Sequence, residues 1–307
     1  MISPKFTIKR RGKVPVIEFP ESLGIGGTVR ILVQYCEHFD SVRSEVDLIR
    51  EHMQQAKDEG APIIKIGDTF DACNGRWDPR RSTEGLREEF RGRPDYLDRL
   101  VDEYSRFAEP FAPNIALMCR GNHEQEILER CECDLIARTA DRLRQAGSPV
   151  MAGGVGGWLL VTLHISKTNK KTIPIYYHHG SRGVMGKGIG STARRSAVLP
   201  DAAVVLTGGS HREWTETIAR YRVSIQSGRL HQDEQLSINV GSYLRSHAPE
   251  GAAPSWHARE GHPPKPLGGT WVELTMVKEF DNTLQRTGRP GARLPLWKVV
   301  ANARRAK

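Results

Sequence analysis

Residues 115–124 read Ile-Ala-Leu-Met-Cys-Arg-Gly-Asn-His-Glu. Five apolar residues make a buried strand, and the glycine that follows hands three polar side chains to a loop. Three other apolar runs end in the same way. Ala61–Ile66 leads into Gly67-Asp68-Thr69-Phe70-Asp71, Thr172–Tyr177 into His178-His179-Gly180, and Ala202–Leu206 into Gly208-Gly209-Ser210-His211. Clusters that each follow a strand belong in loops at one edge of a sheet. Asp68, Asn122, His123, His179 and His211 are thereby expected to meet.

Around these runs the periodicity alternates between two and 3.6. Thr28–Tyr35 is β-rich, and Val42, Val46, Ile49, Met53 and Ala56 then recur at helical spacing until Gly60. Leu97, Leu100, Val101, Tyr104 and Phe107 form a second apolar face behind Pro94. Strand, loop motif and helix in succession argue for an α/β fold. Beyond residue 158 the runs at 158–164, 172–177, 202–206, 218–225, 236–240 and 271–277 are β-rich with little helix between them. The expectation is two sheets packed face to face with helices outside. The chain divides into an arm (1–27), one large domain (28–279) and a basic tail (280–307), since 307 residues approach the limit for a single core.

Hydrophobic residues at 38% and charged residues at 26% exclude a disordered or fibrous chain. Residues 280–307 hold seven Lys or Arg against Asp281, a net +6 of the chain's +9. Such a tail is either a solvated end or a handle for a polyanion such as nucleic acid. Five cysteines at unpatterned spacing suit a reducing cytoplasm. Met1–Lys13 leads into no apolar segment, and Trp158–Leu163 is too short to cross a bilayer, so neither export nor membrane insertion is expected.

The polar clusters hold the parts needed to bind divalent cations and cut phosphate esters. Two cations close together need a carboxylate to bridge them, which Asp68 can supply, and neutral imidazole and amide ligands to complete each shell. His38, Asn122, His179 and His211 suit that second role, and a further histidine, His123, can protonate the leaving oxygen. Asp71 is expected to hydrogen-bond its own loop, and His178 to pack or support its neighbour. The glycine-rich stretch 180–190 fails as a phosphate-binding Walker loop, because Ser181 stands where its first glycine should be and Gly188 follows Lys187. As a substrate loop it would bring Arg182 and Lys187 to phosphate oxygens.

The ordered set Gly-Asp-x-x-Asp, Gly-Asn-His-Glu, His-Gly and Gly-x-x-His resembles the calcineurin-like metallophosphoesterases. The run from His178 through the glycines to Gly208 resembles members encoded by bacteriophages. The likeness covers about residues 28–278. It implies a four-layer α/β/β/α sandwich, and a first ion held by His38, Asp68 and His211. A second would be held by Asp68, Asn122 and His179, with His123 at the substrate phosphate. It also implies a phosphate-ester substrate, Mn²⁺, Zn²⁺ or Fe as the ion, and the host cytoplasm as the compartment. Two positions depart from the pattern. Cys36-Glu37-His38 stands where the family has Asp-x-His, and Gly209 stands where it has a histidine. Cys36 would bind as a thiolate and favour a softer ion, while His178 or water would have to replace the missing imidazole. One ion or two, and a hydrolase or a decayed site serving as a nucleic-acid or protein binding module, are the alternatives left open. The sequence sets no oligomeric state.

Overall fold

Apolar residues at alternate positions bury both faces of a central sheet, and this sheet organises the chain. In the computed structural model the described residues are 3–72, 85–180, 201–209, 211–223, 228, 230–246, 264–285 and 293–306. Two strands open the chain, β1 (Thr7–Arg11) and β2 (Val14–Ser22), followed by β3 (Thr28–Gln34), α1 (Val46–Glu59) and β4 (Ile63–Lys65). Next come α2 (Tyr96–Ala108), β5 (Ile115–Cys119), α3 (Asn122–Cys131), α4 (Leu135–Gln145) and β6 (Met151–Gly153). The remainder is β: β7 (Gly156–His164), β8 (Lys170–His178), β9 (Val204–Thr207), β10 (Trp214–Val223), β11 (Leu230–Asn239), β12 (Thr270–Gln285) and β13 (Arg293–Arg305).

The strands form a seven-stranded sheet, β1-β2-β7-β8-β9-β11-β10, and a six-stranded sheet, β13-β12-β3-β4-β5-β6. In β3, Ile31 and Val33 face the other sheet while Leu32 faces the helices. Ile64 and Ile63 divide the same way in β4, as do Val272 and Trp271 in β12. A period of two with both faces apolar is what a sheet between two layers requires. All of these side chains are at most 2% exposed, and each contributes roughly 1.5–3 kcal/mol by burial. On the outer face Ile49, Met53, Ala56, Leu100, Val101, Tyr104, Leu135, Ile136 and Leu143 close a second core between helices and sheet. The expected α/β architecture of two sheets flanked by helices is therefore present, and among the described residues the four α-helices cover the six-stranded sheet.

Both chain ends differ from expectation. Residues read as an arm contain β1 and β2, and β2 runs parallel to β7, pairing Val16 with Leu160 and Phe19 with Leu163. Residues read as a tail contain β13, which pairs antiparallel with β12 from Thr270–Arg305 to Gln285–Arg293. Arg304 Nε lies 2.8 Å from Glu273 Oε1, and Arg305 pairs with Glu213, so these cations have acidic partners in the fold while staying exposed. Counting charge cannot reveal this, because the pairing acids are distant in sequence. α1 also begins at Val46 instead of Val42, whose backbone N–H is taken by Gly85 O at 2.9 Å. Cys131 ends α3, and Cys133 lies past Glu132, whose left-handed backbone (φ 52°) ends the helix. Cys131 and Cys133 therefore do not share a helix. No helix among the described residues is long and apolar enough to cross a membrane.

A chain of buried polar groups stands behind the site. His52 Nδ1 lies 2.8 Å from Tyr243 Oη, Gln34 Nε2 donates to Tyr243 Oη at 3.1 Å, and Lys65 Nζ donates to Gln34 Oε1 at 2.6 Å and Glu37 Oε1 at 2.5 Å. Tyr104 Oη closes it by donating to Glu37 Oε2 at 2.6 Å. Burial alone lowers the His52 pKa from 6.5 to about 4. The unfolded chain therefore takes up this proton first, so the stability is full above pH 6.5 and is lost as pH falls towards 4. Chemical denaturation at pH 7 and pH 4 should show roughly 3 kcal/mol less stability at the lower pH from this residue. His52→Gln should remove that part of the decline.

Candidate metal centre

Five loops reach the site, and each leaves the C-terminal end of a strand. Cys36 and His38 follow β3, Asp68 and Asp71 follow β4, and Asn122 and His123 follow β5, while His179 and His211 follow β8 and β9. Parallel strands put these ends on one side, where loops can converge. β3, β4 and β5 run parallel, and so do β8 and β9.

Backbone hydrogen bonds lock the first two loops together. Cys36 N donates to Gly67 O at 3.1 Å, His38 N to Asp68 O at 3.0 Å and Phe39 N to Thr69 O at 2.8 Å. Cys36, His38, Asp68 and His211 all adopt left-handed backbone, with φ of 50°, 46°, 52° and 51°. Each such residue costs on the order of 1–3 kcal/mol, a cost that clusters where side chains must be aimed. Gly67 (φ 98°) has no room for a side chain, since a Cβ there would lie 2.5 Å from Gly121 Cα and 2.6 Å from His179 Nδ1.

Three imidazoles are oriented by the same device. His179 Nδ1 lies 2.9 Å from Ile66 O, His38 Nδ1 lies 2.9 Å from Asp71 Oδ1, and His123 Nδ1 meets Asp71 O. These oxygens only accept, so the proton sits on each Nδ1 and the Nε2 lone pair points the other way. All three Nε2 atoms face Asp68 Oδ2, at 3.0 Å from His179, 3.8 Å from His38 and 3.9 Å from His123. Asn122 Oδ1 adds another acceptor 3.0 Å from His179 Nε2. Cys36 Sγ lies 3.7 Å from Asp68 Oδ2 and 3.6 Å from His211 Nε2. Three overlapping donor sets result, each with its ligand atoms within 4.8 Å of one another: Cys36-His38-His211, Cys36-Asp68-His179 and His38-Asp68-His123.

Lone pairs facing lone pairs repel unless a positive charge lies between them. His38 Nε2 is buried and has no hydrogen-bond partner. Burial opposes charge on His38, yet Asp71, Asp68 and Asp40 overcome it and raise its pKa to about 9. Burial likewise opposes the charged His179, and Asp68 again outweighs it. Asp68 is itself held well below the usual carboxylate range, because His179, His123 and His38 outweigh its burial. Burial, then Asp68, push the Cys36 thiol up. The cluster attracts positive charge, and its nitrogen, oxygen and sulfur donors could hold a metal ion.

Of the residues expected at the site, Cys36, His38, Asp68, Asn122, His123, His179 and His211 converge. His178 turns to its own loop, where Nδ1 accepts from Gly180 N at 2.8 Å. Arg182 and Lys187 lie outside the described residues, as do His247, His257 and His262. Asp71 holds His38 and His123, and so does more than bond its own loop. Two supports were not legible in the sequence. Asp40 accepts from Asp71 N at 2.6 Å, Ala72 N at 3.1 Å and Tyr96 Oη. Glu124 accepts from Asp68 N at 3.1 Å, Phe70 N at 2.9 Å and Gly121 N at 2.7 Å. Their only sequence signal is position, two residues after His38 and last in Gly-Asn-His-Glu.

No protein-family model matches the chain, and no curated protein does. Among solved structures it is similar to Vps29 of Chaetomium thermophilum at 11% identity and a TM-score of 0.37, covering 89% of this chain and 96% of that one. It is similar to a predicted phosphoesterase of Streptococcus pneumoniae at 13% identity and a TM-score of 0.32, covering 88% and 98%. GAP50 of Plasmodium is similar at 11% identity and a TM-score of 0.37, covering 88% of each chain. Likeness at this level says nothing of activity, and the architecture rests on the chain's own strand pairing.

Proposed function

We propose that this chain is a metal-dependent phosphoesterase acting on phosphomonoesters or phosphodiesters, with nucleotides or nucleic-acid ends among the candidate substrates. One observation carries the reading: three imidazoles anchored at Nδ1 and an amide oxygen converge on the Asp68 carboxylate. The motifs resembling the calcineurin-like metallophosphoesterases lend it further support.

In this reading His38, Asp68, Asn122, His179 and His211, with Cys36, hold one or two divalent ions. A bound ion would supply Lewis-acid stabilisation of phosphoryl charge and a nucleophilic water at neutral pH. Asp68 contributes the negative charge that collects cations, and Glu124 keeps it in place through the Asp68 and Gly121 backbone N–H groups. His123, held at Nδ1 by Asp71 O, is the residue that meets the substrate phosphate or protonates the leaving oxygen. The reading extends the resemblance to phage-encoded members, and with it a reducing host cytoplasm in which Cys36 stays a thiol.

The test is an assay of the full chain on chromogenic phosphomonoester and phosphodiester substrates with Mn²⁺, Zn²⁺ or Fe²⁺. Hydrolysis should need the ion, and His123→Ala should lower kcat by about 10²–10⁴-fold with metal content unchanged. Hydrolysis indifferent to His123→Ala would remove that residue from the chemistry. A second reading, a nucleic-acid or protein binding module on a decayed site, is favoured by Gly209, which offers no side chain at a customary ligand position. Stoichiometric metal with no hydrolysis of either ester class would select it.

A further inference from the structure

The last strand of a sheet has backbone N–H and C=O groups with no ladder on one side, and proteins guard such edges with short strands, lysine or proline. Three of the four edges in this fold are guarded. β1 carries Lys9, Arg10 and Arg11 in five residues, β6 has only three residues, and β13 carries Pro295 and Lys298. β10 differs. It runs for ten residues in unbroken register with β11, from Trp214–Asn239 to Val223–Leu230, and contains neither lysine nor proline. No described strand pairs with its other edge. Its two arginines are held by acids of their own chain: Arg220 Nε and Nη2 donate to Asp233 at 3.0 and 2.9 Å, and Arg222 Nη2 donates to Asp201 Oδ1 at 2.6 Å.

The same hairpin leaves apolar surface bare. Tyr221, Val223 and Leu230 are 90%, 56% and 77% exposed, and they are three of the five large apolar side chains exposed among the described residues. Val223 stands opposite Leu230, and Tyr221 shares their face two residues away. Charge and register decide what can pair there. Laid antiparallel to itself about Ala219, β10 sets Glu216 opposite Arg222, Thr217 opposite Tyr221 and Thr215 opposite Val223. Each of these pairs occurs twice, because the arrangement is two-fold. Arg222 has guanidinium N–H groups beyond the one given to Asp201, so it can meet a second carboxylate.

We propose that β10 is a self-association edge, through which two copies of this chain join along residues 215–223 about a two-fold axis and fuse their seven-stranded sheets. Two-fold closure uses up the edge, so assembly stops at the dimer. β10 begins at Trp214, shortly after His211, so the second copy's hairpin would stand beside the loop that carries His211. The inference goes beyond the phosphoesterase reading and does not depend on it.

Sedimentation equilibrium of the full chain over about 1–100 μM, the range of modest affinities, tests it. The mass should rise to twice the 34.3 kDa of one chain and no further. Glu216→Arg sets arginine against arginine at both ends of the ladder and should weaken association about tenfold or more. Glu216→Arg with Arg222→Glu restores opposite charges and should recover the dimer, since the exposed Arg222–Asp201 pair it gives up is worth little. Thr217→Lys adds the missing guard and should also weaken association about tenfold. Ile25→Lys, at another exposed apolar side chain, should change nothing, which separates edge pairing from general stickiness. Circular dichroism checks that each variant folds, and Thr217→Lys decides alone if Glu216→Arg does not. A monomer throughout the range, a mass that climbs past the dimer, or a dimer indifferent to Thr217→Lys overturns the proposal. Metal-dependent hydrolysis by a monomer would overturn it and leave the phosphoesterase reading intact; a dimer without hydrolysis would do the reverse.

Discussion

Asp68→Asn is expected to abolish metal retention and lower metal-dependent hydrolysis by about 10³-fold or more, a loss of about 4 kcal/mol in transition-state stabilisation. The side chain keeps its size but loses the charge faced by His38, His123 and His179. Without that charge the cluster no longer collects cations. The same change should let His38 and His179 titrate at lower pH than in the wild-type chain, because Asp68 helps raise both. Elemental analysis, turnover and imidazole resonances followed against pH read the three effects. A variant that retains its ion and its rate would show that Asp68 is not the shared ligand. Circular dichroism should be unchanged, since an amide can still accept from His123 N as Asp68 Oδ1 does at 3.1 Å.

Gly121→Ala should be as damaging without altering a single donor. A Cβ at this position would lie 2.0 Å from Asp68 Oδ1 and 2.3 Å from Asp68 N. Gly121 has extended backbone, φ −96° and ψ −168°, which any residue can adopt, so the conflict is purely steric. Neither side can yield easily, because Glu124 Oε2 accepts from both Gly121 N at 2.7 Å and Asp68 N at 3.1 Å. Overpacking against backbone at this distance should cost about 3 kcal/mol or more. For a chain of this size that is a fall of about 6 °C or more in Tm, and the displaced carboxylate should release the ion. Gly24→Ala is the control: a Cβ there meets nothing within 4 Å, so stability and metal content should stay as they are. A Gly121→Ala chain with wild-type Tm and metal would show that the two loops are less tightly joined than described.

The strands that carry ligands were legible because buried sheet strands are continuous apolar runs, and Ile115–Cys119 and the run at 61–66 could hardly be anything else. Strands at the rims were not. β1 is mostly exposed (Thr7–Arg11), and β13 carries Lys298, Arg304 and Arg305, so both resemble solvated segments until their partners are known. The ligand residues themselves were readable as polar clusters after strands. Their supports were not, because Asp40, Glu124 and Lys65 look like ordinary surface charges in sequence and prove to be at most 1% exposed.

Local chemistry thus decided which side chains could bind a cation, since residue type and strand-end position are properties of short segments. Whether they meet was a matter of long-range packing: Asp68 and His179 are far apart in the chain, yet Oδ2 and Nε2 lie 3.0 Å apart. The proton on each Nδ1 and the left-handed backbone that aims Cys36 and His38 depend on contacts between separate loops. Those contacts exist only once two sheets have closed on one core.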